Sequence, residues 1–273
     1  MIPLCNFHTH THYCDGKNSP EEMILEAIRL GCETIGFSGH APADMWNSED
    51  WCIPREKLES YKDELFTLKK KYASQIEVLV GLELDYYSPK PDWVEYSIGS
   101  VHQLKVRGVE IPVDLDYDQL CGLVQEAYGG DFMAYAKDFY ALSADVANKT
   151  KCEIVGHFDL LTKFNEKYHY LNESDPKYRS MALEALDAVM ERDVMFEINT
   201  GAISRGWRTT PYPAPFLLER IAEKQGRVVL NSDAHAKEHI LFRFEESVEY
   251  AKACNLRELW IYRNGRFVPM SIQ

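Results

Sequence analysis

Histidines and carboxylates recur directly after short apolar segments along this 273-residue chain. Imidazole nitrogens and carboxylate oxygens are ligands that zinc, iron and manganese accept, and they are costly to bury without a partner. Six of the nine histidines and two acids occupy such positions, namely His8, His10, His40, Glu83, His102, His157, Asp233 and His235. If the folded chain brings these side chains together, we expect a metal centre.

The apolar segments that precede these residues are short, rich in β-branched residues and bounded by polar ones, which is typical of buried strands. We predict strands at Leu4–Phe7, Thr34–Ser38, Val78–Leu84, Ser97–Val101, Ile154–Gly156, Met195–Ile198 and Val228–Leu230. A further apolar segment, Leu259–Tyr262, is either an eighth strand or a terminal extension.

Segments with helical periodicity separate the strands. In the first, Ser19 and Glu22 form a capping-box pattern around Pro20, and Gly31 follows the last turn. The other helices are predicted at Lys57–Tyr72, Asp131–Thr150, Pro176–Asp193, Pro215–Gln225 and Ile240–Cys254. About seven strand–helix units favour a parallel barrel, in which the carboxyl ends of all strands share one face. That face would gather the histidines and acids.

Composition excludes several classes of function. With 30 Lys and Arg against 43 Asp and Glu, the net charge is −13, which argues against nucleic acid or an anionic membrane as a partner. No apolar run approaches the roughly 18 residues of a membrane span, and no signal-peptide pattern is visible.

The seven cysteines are odd in number and widely spaced, so we expect buried thiols and a cytoplasmic protein. The oligomeric state is not readable from these features.

In order along the chain, the strand-end motifs resemble those of the PHP (polymerase and histidinol phosphatase) superfamily. The matching segments are His8-x-His10 with Cys14-Asp15-Gly16, Gly39-His40, Gly81-Leu82-Glu83, Ser100-Val101-His102, Gly156-His157-Phe158-Asp159 and Asn231-Ser232-Asp233-Ala234-His235. GHFDLLTKF at 156–164, FEINTG at 196–201 and Tyr212-Pro213-Ala214-Pro215 are similar to the stand-alone histidinol-phosphate phosphatases of that superfamily.

The resemblance implies an α/β fold, a distorted (β/α)7 TIM-like barrel, as one PHP domain over residues 1–273. It implies three divalent metal ions (zinc, iron or manganese) and hydrolysis of L-histidinol phosphate by a metal-bridging hydroxide. Carried over, the ligands are His8, His10, Glu83 and Asp233 for one metal; Asp15, His40 and His235 for a second; and Glu83, His102 and His157 for a third. The metal charge would exceed that of the three carboxylates, so the site would attract phosphate.

One position departs from part of the family. Some histidinol phosphatases have a histidine directly after the position of Asp15, where this chain has Gly16. Asp15 is therefore the expected ligand, with His12 and Cys14 as the alternatives. Two further histidines, His169 and His239, are interpreted as ordinary loop residues, as is His12 by default.

Catalytic and substrate-binding roles go to residues on the loops around the predicted site. Asp233 or His235 would relay a proton to the leaving alkoxide, and Arg205 would grip the phosphate in a bidentate manner. Lys163 and Arg208 are further candidates for binding phosphate. For the rest of the substrate, the loops offer Trp46, Trp51, Trp207 and Asp44, although a core or lid role fits them equally well.

Three alternatives stay open. A PHP enzyme acting on a nucleotide or another small phosphate monoester would share the same metal ligands. An amidohydrolase-type deaminase or lactonase also has His-x-His after the first strand, but the Asp233-x-His235 pair and Glu83 favour PHP chemistry. A non-catalytic metal-binding module is disfavoured because every ligand position holds a competent residue.

Overall fold

Residues 2–45 and 48–273 are described by the structure, which is a computed structural model. Seven parallel strands form a nearly closed barrel in the order β1-β2-β3-β4-β7-β8-β9. The strands are β1 (Cys5–Asn6), β2 (Thr34–Phe37), β3 (Glu77–Asp85), β4 (Tyr96–Ser100), β7 (Ile154–Val155), β8 (Met195–Asn199) and β9 (Arg227–Asn231). This confirms the predicted distorted (β/α)7 barrel.

The barrel closes between the chain after β1 and the chain after β9. Thr9 and Ala234 form a parallel bridge, and Ala234 exchanges backbone hydrogen bonds with His8 (3.0 Å) and His10 (2.9 Å). The two ends of the sheet therefore meet at the carboxyl ends of the strands. We call this side of the barrel the mouth and the opposite side the floor.

Helices surround the barrel, and six of those in the described residues lie at nearly the predicted places. They are α1 (Pro20–Arg29), α2 (Leu58–Tyr72), α3 (Tyr117–Tyr128), α4 (Phe132–Thr150), α5 (Asn165–Tyr168), α6 (Pro176–Met190), α7 (Gly201–Ser204), α8 (Pro215–Glu223) and α9 (Phe244–Ala253). The capping box of α1 is confirmed, because the Ser19 hydroxyl accepts from the Glu22 amide and the Glu22 carboxylate accepts from the Ser19 amide. Helix α9 begins at Phe244 rather than at Ile240, after a short 3₁₀ turn.

Several elements of the chain were not predicted. A hairpin of β5 (Gln103–Val106) and β6 (Val109–Pro112) follows β4, and α3 comes after it. The short helices α5 and α7 were also missed, because four residues are too few for a periodic signal.

The segment that was either an eighth strand or an extension lies outside the barrel. Here β10 (Glu258–Arg263) pairs antiparallel with β11 (Arg266–Ser271). The hairpin covers the floor: the backbone oxygen of Tyr262 accepts from the Thr34 hydroxyl at 3.1 Å, and the ring of Phe267 packs on Phe7 at 5.2 Å.

The seven cysteines are all free, with five buried and two partly buried, as expected for thiols without a disulfide framework. Within residues 2–45 and 48–273, no helix has the length and apolarity that crossing a membrane requires.

Candidate metal centre

The nine side chains predicted to bind metal meet at the mouth. Their ligand atoms fall into four overlapping groups, within each of which all atoms lie within 4.8 Å of one another. The groups are His10, Asp15, His40 and His235; His8, His10 and Asp233; His8, Glu83 and His157; and His40, Glu83 and His102. Together they contain every predicted ligand, although the grouping differs in detail from the three predicted sets, since His10 joins Asp15, His40 and His235.

Glu83 lies at the centre because β3 carries it to the middle of the barrel, where it is 1% exposed. Its Oε2 is 3.1 Å from His8 Nε2 and 3.1 Å from His40 Nδ1. Its Oε1 is 3.0 Å from His157 Nε2 and 3.3 Å from His102 Nε2. Burial would raise the pKa of Glu83, but the surrounding histidines lower it well below its usual value. Four imidazoles thus lie within 3.3 Å of one carboxylate, an arrangement suited to bridging two cations.

The His10 imidazole has the protonation state and the burial expected of a metal ligand. Burial first, and then the charges of His235 and His40, lower its pKa to about 3, so the imidazole is neutral. Its Nε2 atom is buried and makes no hydrogen bond among the described residues, although Asp233 Oδ1 lies 3.2 Å away. A neutral imidazole whose buried nitrogen makes no hydrogen bond is costly unless that nitrogen binds a cation.

Asp15 and His235 form the outer part of the group. His235 Nε2 lies 3.1 Å from Asp15 Oδ2, and the Asp15 side chain is 32% exposed. Although burial opposes it, the charges of His40 and His235 lower the pKa of Asp15. Asp15 is therefore an ionised carboxylate open to the mouth.

The structure explains why glycine follows Asp15. A Cβ atom at Gly16 would lie 2.5 Å from the backbone nitrogen of Thr11 and 2.6 Å from the carbonyl carbon of His10. A histidine there would have to displace the strand end that holds His10. The turn therefore accepts only glycine after Asp15, which leaves Asp15 as the candidate ligand in this segment. Cys14 lies beside it, with Sγ 3.6 Å from His10 Nδ1, but belongs to none of the four groups.

Asp233 is positioned by a strained backbone and a close approach. Its φ is +51°, a left-handed conformation that aspartate tolerates better than most residues. Its Oδ1 lies 3.2 Å from His10 Nε2, and its Oδ2 accepts from Arg205 at 2.8 Å. A Cβ at Gly201 would lie 2.6 Å from Asp233 Oδ2, so only glycine leaves room for this pair.

Arg205 reaches the edge of the metal ligands, as the prediction of a phosphate-binding role requires. Its Nη1 lies 3.1 Å from His235 Nδ1, and its side chain is 29% exposed. Burial would lower its pKa, but Asp233 raises it, so the guanidinium is charged.

The other two predicted phosphate ligands have protein partners. Lys163 Nζ donates to the backbone oxygen of Asp114 at 2.5 Å and lies 3.3 Å from its Oδ2. Arg208 donates to the Thr162 hydroxyl and to the backbone oxygen of Thr210, and its guanidinium stacks on Tyr212. Phosphate binding by Arg208 stays a prediction that would require these bonds to break.

The candidates for binding the rest of the substrate lie in different surroundings. The Trp51 ring packs on His40 at 4.9 Å and on His102 at 5.5 Å, so it borders the centre. The Trp207 ring packs on Phe164, and Asp44 is exposed and paired with Arg55. Trp46 lies outside the described residues.

The three histidines interpreted as ordinary residues belong to none of the metal groups. His12 is exposed and stacks on Tyr13, His169 is exposed, and His239 is partly buried against Phe242.

Sequence reasoning missed the carboxylates behind the ligands. Glu197 is fully buried, and its Oε2 lies 3.0 Å from His8 Nδ1, while its Oε1 accepts from the His157 amide at 2.8 Å. Asp85 accepts from the His102 amide at 2.8 Å. A carboxylate behind a histidine orients the ring and leaves the other nitrogen for a metal. Asp85 directly follows a predicted strand and Glu197 lies within one, but strand position alone did not separate them from core residues.

Comparison with known proteins decides the family. Residues 6–201, more than half of the chain, match the PHP domain. The chain belongs to the PHP domain family. A relative from Deinococcus radiodurans, named "Probable histidinol-phosphatase", is 31% identical to this PHP protein over 262 residues, which cover 91% of this chain and 93% of the relative.

Two further proteins are similar to this chain. A protein named "Histidinol-phosphatase" from Bacillus subtilis is 26% identical over 266 residues, covering 89% of this chain and 97% of the relative. The crystal structure of histidinol phosphate phosphatase from Lactococcus lactis, in complex with zinc, L-histidinol and phosphate, superposes with a TM-score of 0.72. That match has 18% identity and covers 98% of this chain and 100% of the other, so it establishes a common fold.

Proposed function

We propose that this protein is a metal-dependent phosphatase that hydrolyses L-histidinol phosphate to L-histidinol and inorganic phosphate, a step in histidine biosynthesis. The observation that carries the proposal is the convergence of nine nitrogen and oxygen ligands beside Arg205 at one mouth. Full-length relatives of the same family bear the name histidinol-phosphatase, and the relative from Lactococcus lactis binds zinc, L-histidinol and phosphate.

We assign three divalent cations to the cluster, with zinc favoured and iron or manganese compatible with the same donors. The residues that would hold them are His8, His10, Asp15, His40, Glu83, His102, His157, Asp233 and His235. Two features fit this assignment: the buried Nε2 atom of His10, which makes no hydrogen bond among the described residues, and the four imidazoles within 3.3 Å of Glu83. Bound divalent ions supply Lewis-acid stabilisation of phosphate charge and lower the pKa of a water molecule.

Arg205 is the side chain that we assign to the phosphate. Asp233 and His235 hold its guanidinium at the mouth, and part of it is open to solvent. Two parallel N–H groups can grip two phosphate oxygens, and such a charge-assisted pair is stronger than a neutral hydrogen bond. Lys163 is the second candidate cation for the phosphate.

The leaving oxygen needs a proton, and either the Asp233 carboxylate or the His235 imidazole would relay it from the attacking water. These two side chains lie 3.4 Å apart, between His235 Nδ1 and Asp233 Oδ1, and both face the ligands of the cluster. Arg205 contacts both, so the groups that bind phosphate and deliver the proton are adjacent.

The test compares L-histidinol phosphate with p-nitrophenyl phosphate and a nucleoside monophosphate. We expect kcat/KM for L-histidinol phosphate to be at least about a hundredfold higher, because binding energy from the non-phosphate part lowers the barrier. Equal turnover of p-nitrophenyl phosphate would show that the substrate is wrong, and a preference for the nucleotide would favour the alternative within the same family.

Metal content separates this proposal from an amidohydrolase-like site. The purified protein should carry close to three ions per chain, and chelation should abolish turnover. One ion per chain would contradict the assignment. His235→Ala should also abolish activity while the chain stays folded, whereas His169→Ala, an exposed histidine outside the cluster, is the matched control and should retain activity.

A further inference from the structure

Asp114 lies at the mouth, on the loop after β6, but belongs to none of the metal-ligand groups. It follows β6, and the amide of the preceding Val113 donates to the backbone oxygen of His102 at 2.8 Å. The unpredicted β5–β6 hairpin therefore places the Asp114 carboxylate at the mouth. Asp114 directly follows Val113, whose amide is hydrogen-bonded to the predicted metal ligand His102.

Asp114 connects two loops of the mouth. Lys163, which follows His157 and the short 3₁₀ turn, lies 3.3 Å from its Oδ2. The Lys163 side chain is 9% exposed and that of Asp114 30% exposed, so the carboxylate is the more open member of the pair. Among residues 2–45 and 48–273, no hydrogen bond engages its Oδ1.

The other acids near the mouth differ from Asp114 in their burial or in their hydrogen-bond and ion-pair partners. Asp85 is buried and accepts from the amides of His102 and Tyr87. Glu197 is buried behind His8. Asp44 is almost fully exposed and paired with Arg55. Asp114 combines partial burial, an oxygen without a hydrogen bond among the described residues, and a position directly after the backbone bond to His102. Burial acts to raise its pKa, but Lys163 lowers it overall, so the group is ionised.

L-histidinol phosphate carries a primary ammonium group on the carbon next to its phosphorylated CH₂ group. The ammonium is joined to the phosphate through only two carbons and an oxygen. If the phosphate binds at the metal ligands and Arg205, the ammonium would therefore lie close to the bound metal ions and to the Arg205 guanidinium. An anion close to the phosphate site is needed to offset that repulsion, and a charge-assisted hydrogen bond is the strong way to do so.

We propose that Asp114 binds the ammonium group of the substrate, with Oδ1 facing the ligand while Oδ2 keeps Lys163. This inference rests on the proposed function and adds how the enzyme distinguishes an amino-alcohol phosphate from other phosphate monoesters. Asp114 is then a specificity residue, and the phosphate chemistry itself does not depend on it.

The experiment uses a pair of substrates that differ only in the amine: L-histidinol phosphate and 3-(imidazol-4-yl)propyl phosphate. For Asp114→Asn, we expect kcat/KM for L-histidinol phosphate to fall at least about tenfold, mainly through KM, because a hydrogen bond to a charged group is lost. The value for the analogue without the amine should change less than about threefold. Asp116→Asn is the matched control: it removes the same charge from the same loop, and asparagine also caps α3.

An equal loss with both substrates would overturn the proposal, because Asp114 would then act only through Lys163. No loss with either substrate would overturn it as well. A second measurement uses the wild-type protein alone: L-histidinol should inhibit at least about tenfold more strongly than its analogue without the amine, and equal inhibition would contradict the proposal.

Failure of the proposed function looks different. In that case the wild-type protein itself would show no preference for L-histidinol phosphate over p-nitrophenyl phosphate, which would overturn both proposals. A wild-type preference without any differential effect of Asp114→Asn would overturn only the role of Asp114.

Discussion

At the mouth of the barrel, His8, His10 and Glu83 are at most 1% exposed, whereas the floor of the same barrel buries apolar residues such as Phe7 and Ile261. Both regions bury side chains, but the floor buries apolar groups and the mouth buries ionisable ones. The floor removes apolar surface from water, which stabilises the fold. The mouth removes ionisable groups from water, which costs free energy unless they are paired or bind a cation.

The two regions also differ in how they are covered. The β10–β11 hairpin closes the floor, and the Tyr96 hydroxyl donates to the backbone oxygen of Phe7 inside it. The mouth is bordered by irregular loops that leave Asp15, Arg205 and His235 partly exposed. Stability is therefore concentrated at one end of the barrel and reactivity at the other, and a substitution should affect mainly the property of its own end.

The largest effect is expected at the centre of the mouth. Glu83→Gln removes the charge that faces four imidazoles, so we expect bound metal to be lost and kcat/KM to fall about a thousandfold or more. Metal analysis and phosphatase assays check this, and circular dichroism should show a folded barrel. Full metal content with normal turnover would contradict the role of the mouth.

A floor substitution should do the reverse. Ile261→Ala truncates a side chain that is 2% exposed, and we expect the free energy of unfolding to fall by about 2–5 kcal/mol while kcat/KM at low temperature is retained. Denaturant unfolding of the metal-free protein measures this. The control is Glu258→Ala on the same strand, where an exposed side chain should change stability by less than about 0.5 kcal/mol. A large loss of activity in the folded Ile261→Ala protein would show that the two ends are coupled.

A substitution of Glu197 tests the carboxylates that contact the metal-binding histidines from behind. Glu197→Gln keeps the shape but replaces the carboxylate behind His8, so we expect metal affinity to fall about 10- to 100-fold. Titration of the metal-free protein gives the affinity. Activity should return at high metal concentration, because the ligands themselves remain. If affinity is unchanged, Glu197 contributes only to packing.

The smallest effect is expected for charges at the surface near the floor. Arg263 and Glu33 form an exposed ion pair at 2.6 Å, and Glu33→Gln should change stability by less than about 1 kcal/mol. Thermal unfolding at low and high salt measures it. A larger loss would mean that the hairpin depends on this pair rather than on apolar contact.

The sequence predicted the alternation of strands and helices because apolar periodicity and capping residues are local signals. It also placed the ligand candidates at strand ends, from His8 to His235, since all parallel strands deliver their carboxyl ends to one face. The hairpin that carries Asp114 was missed: Gln103–Val106 and Val109–Pro112 are short and half polar, and their pairing has no strong turn signal.

What the sequence determined by itself is therefore the set of elements and the identity of the groups at their ends, because both follow from local pattern. Only the tertiary structure decided which partner each group meets: that Glu83 faces four imidazoles, that Glu197 stands behind His8, and that Lys163 pairs with Asp114. Such contacts join residues far apart in the chain. They depend on register, loop path and barrel closure, which no local pattern encodes.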